Sequence, residues 1–288
     1  MAMNRRDRLK AIFEDTIIRI NNTPYLKDSS EHSVLQTKYY APNEYPLYEI
    51  EQQTKGEITV TRHTTFEAAK KLHEAYPDKK IAVLNFASAT NPGGGVVNGS
   101  SAQEECLCRC STLYPTLTQK AMWDQYYSAN RAEHNALHND ACIYSPDIVV
   151  FKSYDSFPVI MPEKDWFTVD VISCAAPNLR KVVSNQYNPE SGKAIQIEPE
   201  ELFDLHIKRA KHIMTIAAAN RVDLLVLGAF GCGAFCNDPN VVSEALLTAA
   251  DEFTKCFDLI EFAVYCRPYE TENYEAFLNA RDRRISID

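Results

Sequence analysis

The sequence predicts an open three-layer α/β domain, and three observations carry that prediction. Strand-like apolar runs alternate with helical patterns along most of the chain, the arrangement that builds a sheet covered by helices on both faces. One run, Asp223-Leu224-Leu225-Val226-Leu227, is almost wholly apolar, as strands buried on both faces are. Two glycine clusters come directly after strand-like runs, where open α/β sheets place their ligand loops.

From Arg5 to Asn21, Leu9, Ile12, Phe13, Ile17 and Ile20 recur at helical spacing on one face. Pro24, Pro42 and Pro46 interrupt the next stretch, so Asn22 to about Glu51 is expected to wrap irregularly. Residues 1–50 are therefore expected to form a helical and irregular extension packed on the core, with 51–288 as the main domain. Glu57 to Thr61 reads as a strand. Thr64-Thr65-Phe66-Glu67 is a capping-box pattern opening a helix to about Tyr76, before Pro77. Ile81 to Asn85 is the next strand. Ser101-Ala102-Gln103-Glu104 also fits a capping box, which puts Glu104 and Glu105 in a first helical turn. A helical region is expected from about Thr118 to Asn135. Strands come next at Ile148 to Lys152 and Phe167 to Cys174, the second running into Ala175-Ala176-Pro177-Asn178. A long amphipathic helix spans about Pro199 to Asn220 and leads to the strand at Asp223. The chain then reads as a helix from about Asp238 to Phe257, a strand from Leu259 to Cys266 and a helix from about Glu270 to Ala280.

At 288 residues, with 45% hydrophobic and 24% charged residues, the composition is that of a globular chain, and no apolar run reaches the roughly 18 residues of a membrane span. The basic first residues lead into an amphipathic stretch and not into an apolar signal core, so a cytoplasmic location is expected. Nine cysteines cannot all pair internally, and several sit in apolar segments, which fits reduced buried thiols. A net charge of -9 argues against holding DNA by broad electrostatic attraction. A phosphate would have to be met locally, by backbone N–H groups.

Glycine is scarce, with 9 in 288 residues against an average near 7%. Seven of the nine lie in two places: Gly93, Gly94, Gly95 and Gly99 in one, and Gly228, Gly231 and Gly233 in the other. A chain sparing with glycine elsewhere spends it where the backbone must turn or approach a ligand closely. The first cluster is joined to acids: Asn91-Pro92-Gly93-Gly94-Gly95, seven residues, then Gln103-Glu104-Glu105. Backbone able to touch a ligand is thereby coupled to carboxylates able to act on it.

That pairing resembles the signature of the poly(ADP-ribose) glycohydrolases of bacterial type, which are built on a macro domain fold. The likeness extends over Leu84-Asn85-Phe86-Ala87-Ser88-Ala89-Thr90-Asn91-Pro92, Ala175-Ala176-Pro177-Asn178 and Gly228-Ala229-Phe230-Gly231-Cys232-Gly233-Ala234-Phe235, in the same order, from about Gly56 to Pro268. It implies a mixed central sheet, with 51–288 as the catalytic domain, and hydrolysis of ribose–ribose O-glycosidic bonds. Poly(ADP-ribose) or ADP-ribosylated proteins would be the substrates and ADP-ribose the product, with no cofactor and no metal. By the same resemblance Glu105 is the acid/base and Glu104 holds ribose hydroxyls. Asn91, Gly93, Gly94, Gly95 and Gln103 lie at the distal ribose; Gly231, Cys232, Gly233 and Ala234 wrap the diphosphate, and Phe235 packs against sugar or base. Tyr265 to Pro268 would border the adenine. A reader that binds ADP-ribose without cutting it, and a hydrolase of mono-ADP-ribosyl adducts, are the alternatives; the paired acids favour the enzyme.

An acid at a helix start is favoured in its charged form, whereas a general acid must hold a proton. These demands are expected to meet when bound ligand excludes water around Glu105, so that desolvation and the neighbouring Glu104 charge favour its protonated form. Other chemistries fit less well. Cys106, Cys108 and Cys110 do not share one helical face. His134 and His138 are four apart but lack the acid of a zinc-protease motif, and read as surface histidines. Cys232 has no histidine placed to activate it, and neither glycine cluster has dinucleotide-fold spacing.

Overall fold

The computed structural model describes residues 3–50, 54–185 and 190–285. In chain order the helices are α1 (Arg5–Asn22), α2 (Pro24–Gln36), α3 (Thr65–Ala75), α4 (Gln103–Cys110), α5 (Leu113–Thr118), the single turn α6 (Lys120–Met122), α7 (Ser128–Glu133), α8 (Pro199–Ala219), α9 (Pro239–Glu252) and α10 (Glu272–Ile285). The strands are β1 (Lys38–Tyr40), β2 (Glu57–Thr61), β3 (Ile81–Phe86), β4 (Cys142–Val150), β5 (Phe167–Cys174), β6 (Leu224–Leu227) and β7 (Leu259–Ala263). They form one mixed sheet in the order β1-β4-β5-β3-β6-β7-β2. The pairs from β5 to β2 are parallel, and β1 and β4 close one side antiparallel.

Apolar residues alternate across this sheet into two cores. Ala82, Leu84, Leu225, Leu227, Ile260 and Phe262 face α8, α9 and α10, where Ile213, Leu246 and Phe277 pack against them. Val83, Leu224 and Val226 face the opposite layer, with Phe13 of α1, Phe66 of α3 and Leu107 of α4. Both faces being covered explains the unbroken apolar run in β6.

Several elements differ from expectation. The stretch expected to be irregular holds α2, in which Pro24 occupies the first turn, where a missing N–H costs nothing, and β1 on the sheet edge; Glu51 lies outside the described residues. Strand β4 begins at Cys142, six residues before the expected start. Pro146 hides it, and the chain accommodates that proline with a register shift between Ser145 and Ile148 and a left-handed Asp147. The helix expected from Thr118 to Asn135 is broken at Gln119 and again by a π-helical turn at Trp123–Tyr127, then ends at His134. His134 and His138 therefore share no helical face. His138 is buried, not a surface residue, and burial drives its pKa down to about 3. The helix α9 stops at Glu252 and β7 at Ala263, both earlier than expected, whereas α10 runs to Ile285.

Candidate active site

Strand order brings the two glycine clusters together. Because β3 pairs with β6 in parallel, the loops leaving their C-terminal ends are neighbours, and β5 on the other side of β3 delivers Ala175 to Asn178 to the same edge. Ligands bind at this edge in open α/β sheets.

The acids enter from α4. Its first turn carries Glu104 and Glu105, both buried, although the expected capping box does not form: the cap position is Ala102, which makes no side-chain cap bond. The Glu104 carboxylate turns instead to the β3 loop, accepting from the Ser88 N–H at 2.8 Å and from Asn85 Nδ2 at 3.4 Å. Burial pushes its pKa well above the ordinary carboxylate range, and the Glu105 charge adds to this; hydrogen bonds from Ser88, Asn85 and Gly93 work against it. Glu105 is held differently. Its Oε1 accepts from the Gly95 N–H at 2.9 Å, while Oε2 is buried and has no hydrogen-bond partner among the described residues. Thr90 Oγ1 and Asn85 Oδ1, in the same region, are likewise buried and unpaired. Buried oxygens of this kind can be met by water or by a hydroxyl-bearing ligand.

Gln103 fixes the helix to the strand. Its Oε1 accepts from the Phe86 N–H at 2.9 Å, and its Nε2 donates to Leu84 O at 2.8 Å and Thr65 Oγ1 at 3.1 Å. The side chain is thus engaged by protein, and its effect on a ligand passes through the acids it positions. Asn91 Nδ2 donates to Gly94 O, tying off the glycine turn. Gly94 has φ +58°, and a Cβ there would lie 2.6 Å from Glu105 Oε1 and 3.1 Å from Glu104 Oε2. The glycine run is what lets backbone and both carboxylates occupy one small volume.

The second loop leaves successive backbone donors open. Gly231 has φ +83°, with Ala176 against its Cα. Beyond it, the N–H groups of Gly233, Ala234 and Phe235 donate to no acceptor among the described residues, whereas those of Cys232, Cys236 and Asn237 close turns. Successive unsatisfied amides form an anion-binding concavity without any positive side chain. Cys232 is half-buried, and burial pushes its thiol up, which argues against a thiolate nucleophile. Phe235 is half-buried, with the Arg180 guanidinium 5.2 Å from its ring centroid and the His138 ring at 6.3 Å. Tyr265 is exposed at the β7 end of the same edge.

Sequence reasoning missed the buried scaffold under these loops. Asn237 Nδ2 donates to Pro177 O at 2.7 Å and to Gly231 O and Phe235 O at 3.2 Å each, linking the β5 and β6 loops. His206 Nε2 meets Asn237 Oδ1 at 2.8 Å, and burial holds this imidazole neutral with a pKa of about 4. Arg209 joins Asp140 at 3.0 Å to Ala175 O at 2.7 Å. The position of Asn237, just after the second glycine cluster, was the one available signal. Two surface hollows, of about 630 and 430 Å³, contain neither acid. The paired acids and the open amides, not the size of the hollows, mark the candidate site.

Comparisons with known proteins give the family and the fold. A family model for the catalytic domain of microbial-type PARG matches residues 8–153. The fold is similar to the poly(ADP-ribose) glycohydrolase of Thermomonospora curvata, with TM-score 0.81 and 29% identity over 96% of this chain and 100% of that one. The same enzyme bound to the inhibitor ADP-HPD matches with TM-score 0.79, at 29% identity over 95% and 99% of the two chains. The Deinococcus radiodurans enzyme in complex with ADP-ribose matches with TM-score 0.74, at 32% identity over 88% of this chain and 97% of that one. No curated relative matches the sequence.

Proposed function

The chain belongs to the microbial-type poly(ADP-ribose) glycohydrolase family, and from that premise we propose that it cuts the ribose–ribose bond of poly(ADP-ribose) with Glu105 as acid/base. The observation that supports this assignment is the asymmetry of the acids. Glu104 has both oxygens occupied by protein donors, whereas Glu105 is anchored through one oxygen and keeps the other buried and unpaired.

In this reading the diphosphate of the terminal unit lies on the N–H groups of Gly233, Ala234 and Phe235, with Gly231 and Cys232 completing the wrap. The distal ribose lies against Asn91 and Gly93 to Gly95, and Glu104 holds its hydroxyls. Glu105 gives its proton to the bridging oxygen, the bond from that oxygen to the anomeric carbon breaks with its electron pair going to oxygen, and oxocarbenium character develops on the sugar. Water then adds to the anomeric carbon and returns a proton to Glu105, releasing ADP-ribose and a polymer one unit shorter. An acidic protein can bind this polyanion because the donors are backbone dipoles, which need no counter-charge.

The test is Glu105→Gln, which keeps shape but cannot transfer the proton. ADP-ribose release from polymer should fall by roughly 10²–10⁴-fold, while ADP-ribose binding by calorimetry stays within a few-fold. A parent protein that binds ADP-ribose but releases none from polymer would leave a reader, and a variant with near-parent turnover would remove Glu105 from the mechanism.

A further inference from the structure

We infer that Arg5 and Arg8, with Phe157, form a subsite for the diphosphate of the polymer unit on the leaving side of the scissile bond. The inference rests on the cut taking place at Glu105, as proposed above.

The first turn of α1 is docked on the catalytic loop. The Arg6 carbonyl comes so close to Gly99 that a Cβ on that glycine would lie 2.1 Å from it, and Arg109 Nη1 of α4 donates to Ser100 O at 2.5 Å in the same loop. Further along, Thr16 Oγ1 donates to Arg109 O at 2.6 Å, and Lys152 Nζ, just beyond β4, donates to Ile12 O at 2.8 Å. The helix therefore lies on the β4 side of β3, whereas the diphosphate loop leaves β6 on the other side. Arg6 packs on the segment that joins the glycine run to Glu104 and Glu105, and Phe157, in the chain beyond β4, meets the same turn of α1. A polymer whose terminal diphosphate sits on the β6 loop and whose terminal ribose sits at Glu105 can continue along the 96–100 segment to the first turn of α1.

The surface it meets there departs from the rest of this acidic chain. Arg5 and Arg8 are exposed, and both guanidiniums lie over the Phe157 ring, at 6.0 and 3.8 Å from its centroid. The acids of α1 are engaged elsewhere: Asp7 with Asn4, Glu14 with Lys10, and Asp15 with Arg19 and Lys152. Neither Arg5 nor Arg8 has a carboxylate partner among the described residues. Two guanidiniums held on an aromatic face and left without counter-charge match the two phosphates of the next repeat unit.

The experiment compares the parent with Arg5→Gln/Arg8→Gln, after confirming an unchanged melting temperature. Losing two phosphate contacts reduces the salt dependence of kcat/KM on long polymer by about 1.4 in log–log slope, which is roughly 7-fold between 50 and 200 mM salt. The loss at low salt should appear mainly in KM. Affinity for ADP-ribose, which lacks the leaving unit, should not change. An unchanged KM and salt slope on polymer would overturn the subsite. So would an equal loss of ADP-ribose affinity, because the arginines would then act by holding the 93–100 loop. Failure of the glycohydrolase reading itself would show separately, as a parent protein with no release from polymer.

Discussion

Gly94→Ala tests whether the glycine run exists to bring backbone against Glu104 and Glu105, the proposed catalytic pair. The added Cβ would stand 2.6 Å from Glu105 Oε1, and ordinary contact begins at 3.4 Å, so by difference the oxygen must retreat about 0.8 Å. The backbone at φ +58° adds a left-handed cost of about 1–2 kcal/mol for a residue with a Cβ. The clash itself is inexpensive for stability, because the obstructed atom ends a side chain that can swing away. Its cost falls on geometry: the retreat stretches the 2.9 Å bond from the Gly95 N–H and moves the proton donor off the bridging oxygen. A misplacement of about 1 Å can lower rate by roughly 10²-fold. Melting temperature should therefore drop by only a few degrees, at roughly 2–4 °C per kcal/mol, while kcat for ADP-ribose release falls about 10²-fold. ADP-ribose affinity, which the proposed site places largely on the β6 loop, should stay within several-fold. A variant with kcat within threefold of the parent, at any melting temperature, refutes the argument.

Two other outcomes are expected from the same geometry. Cys232→Ser should keep turnover within about threefold, and peptide mapping of the iodoacetamide-treated parent at neutral pH should find Cys232 unmodified while the exposed Cys236 reacts, since burial raises the Cys232 thiol; inactivation of the serine variant would restore a nucleophilic role. Folding stability should fall as pH drops from about 6.5 toward 4, because His206 and His138 are held neutral by burial, with pKa values of about 4 and about 3, while the unfolded chain protonates near 6.5. Each contributes about 2 kcal/mol to the difference between pH 7 and pH 5, so urea denaturation of His206→Gln should show that difference reduced by about this amount, and an unreduced difference contradicts it.

The parts of the fold that local patterns determine were legible in the sequence. The Thr64–Glu67 capping box forms with both of its hydrogen bonds, and β2 and β5 occupy the residues expected, because their signals lie within a few residues of one another. Failures came where tertiary contacts override such signals. Pro24 reads as a breaker until its place in a first helical turn is known, and Pro146 conceals a strand that survives through a register shift. The second capping box failed for a related reason: Glu104, its expected return partner, is drawn away to the Ser88 N–H.

The site was legible as composition, and its assembly was not. Scarce glycines marked both loops, but only the parallel pairing of β3 with β6 makes them neighbours across 130 residues of chain (from Gly94 to Leu224), and no local pattern encodes that pairing. The division of labour between adjacent acids is likewise a product of packing. A strand end presents Ser88 and Asn85 to Glu104, satisfying it, and the glycine turn presents a single N–H to Glu105. Gln103 makes that difference durable, because its three bonds to β3 and α3 lock the register between helix and strand. A one-residue slip of α4, a rotation of about 100°, would carry Glu104 into the place Glu105 occupies and take Glu105 away from the Gly95 N–H. The Gln-Glu-Glu order therefore works as one unit, in which the amide sets which of two chemically identical side chains has both oxygens held and which keeps one unpaired, the difference on which the role proposed for Glu105 rests.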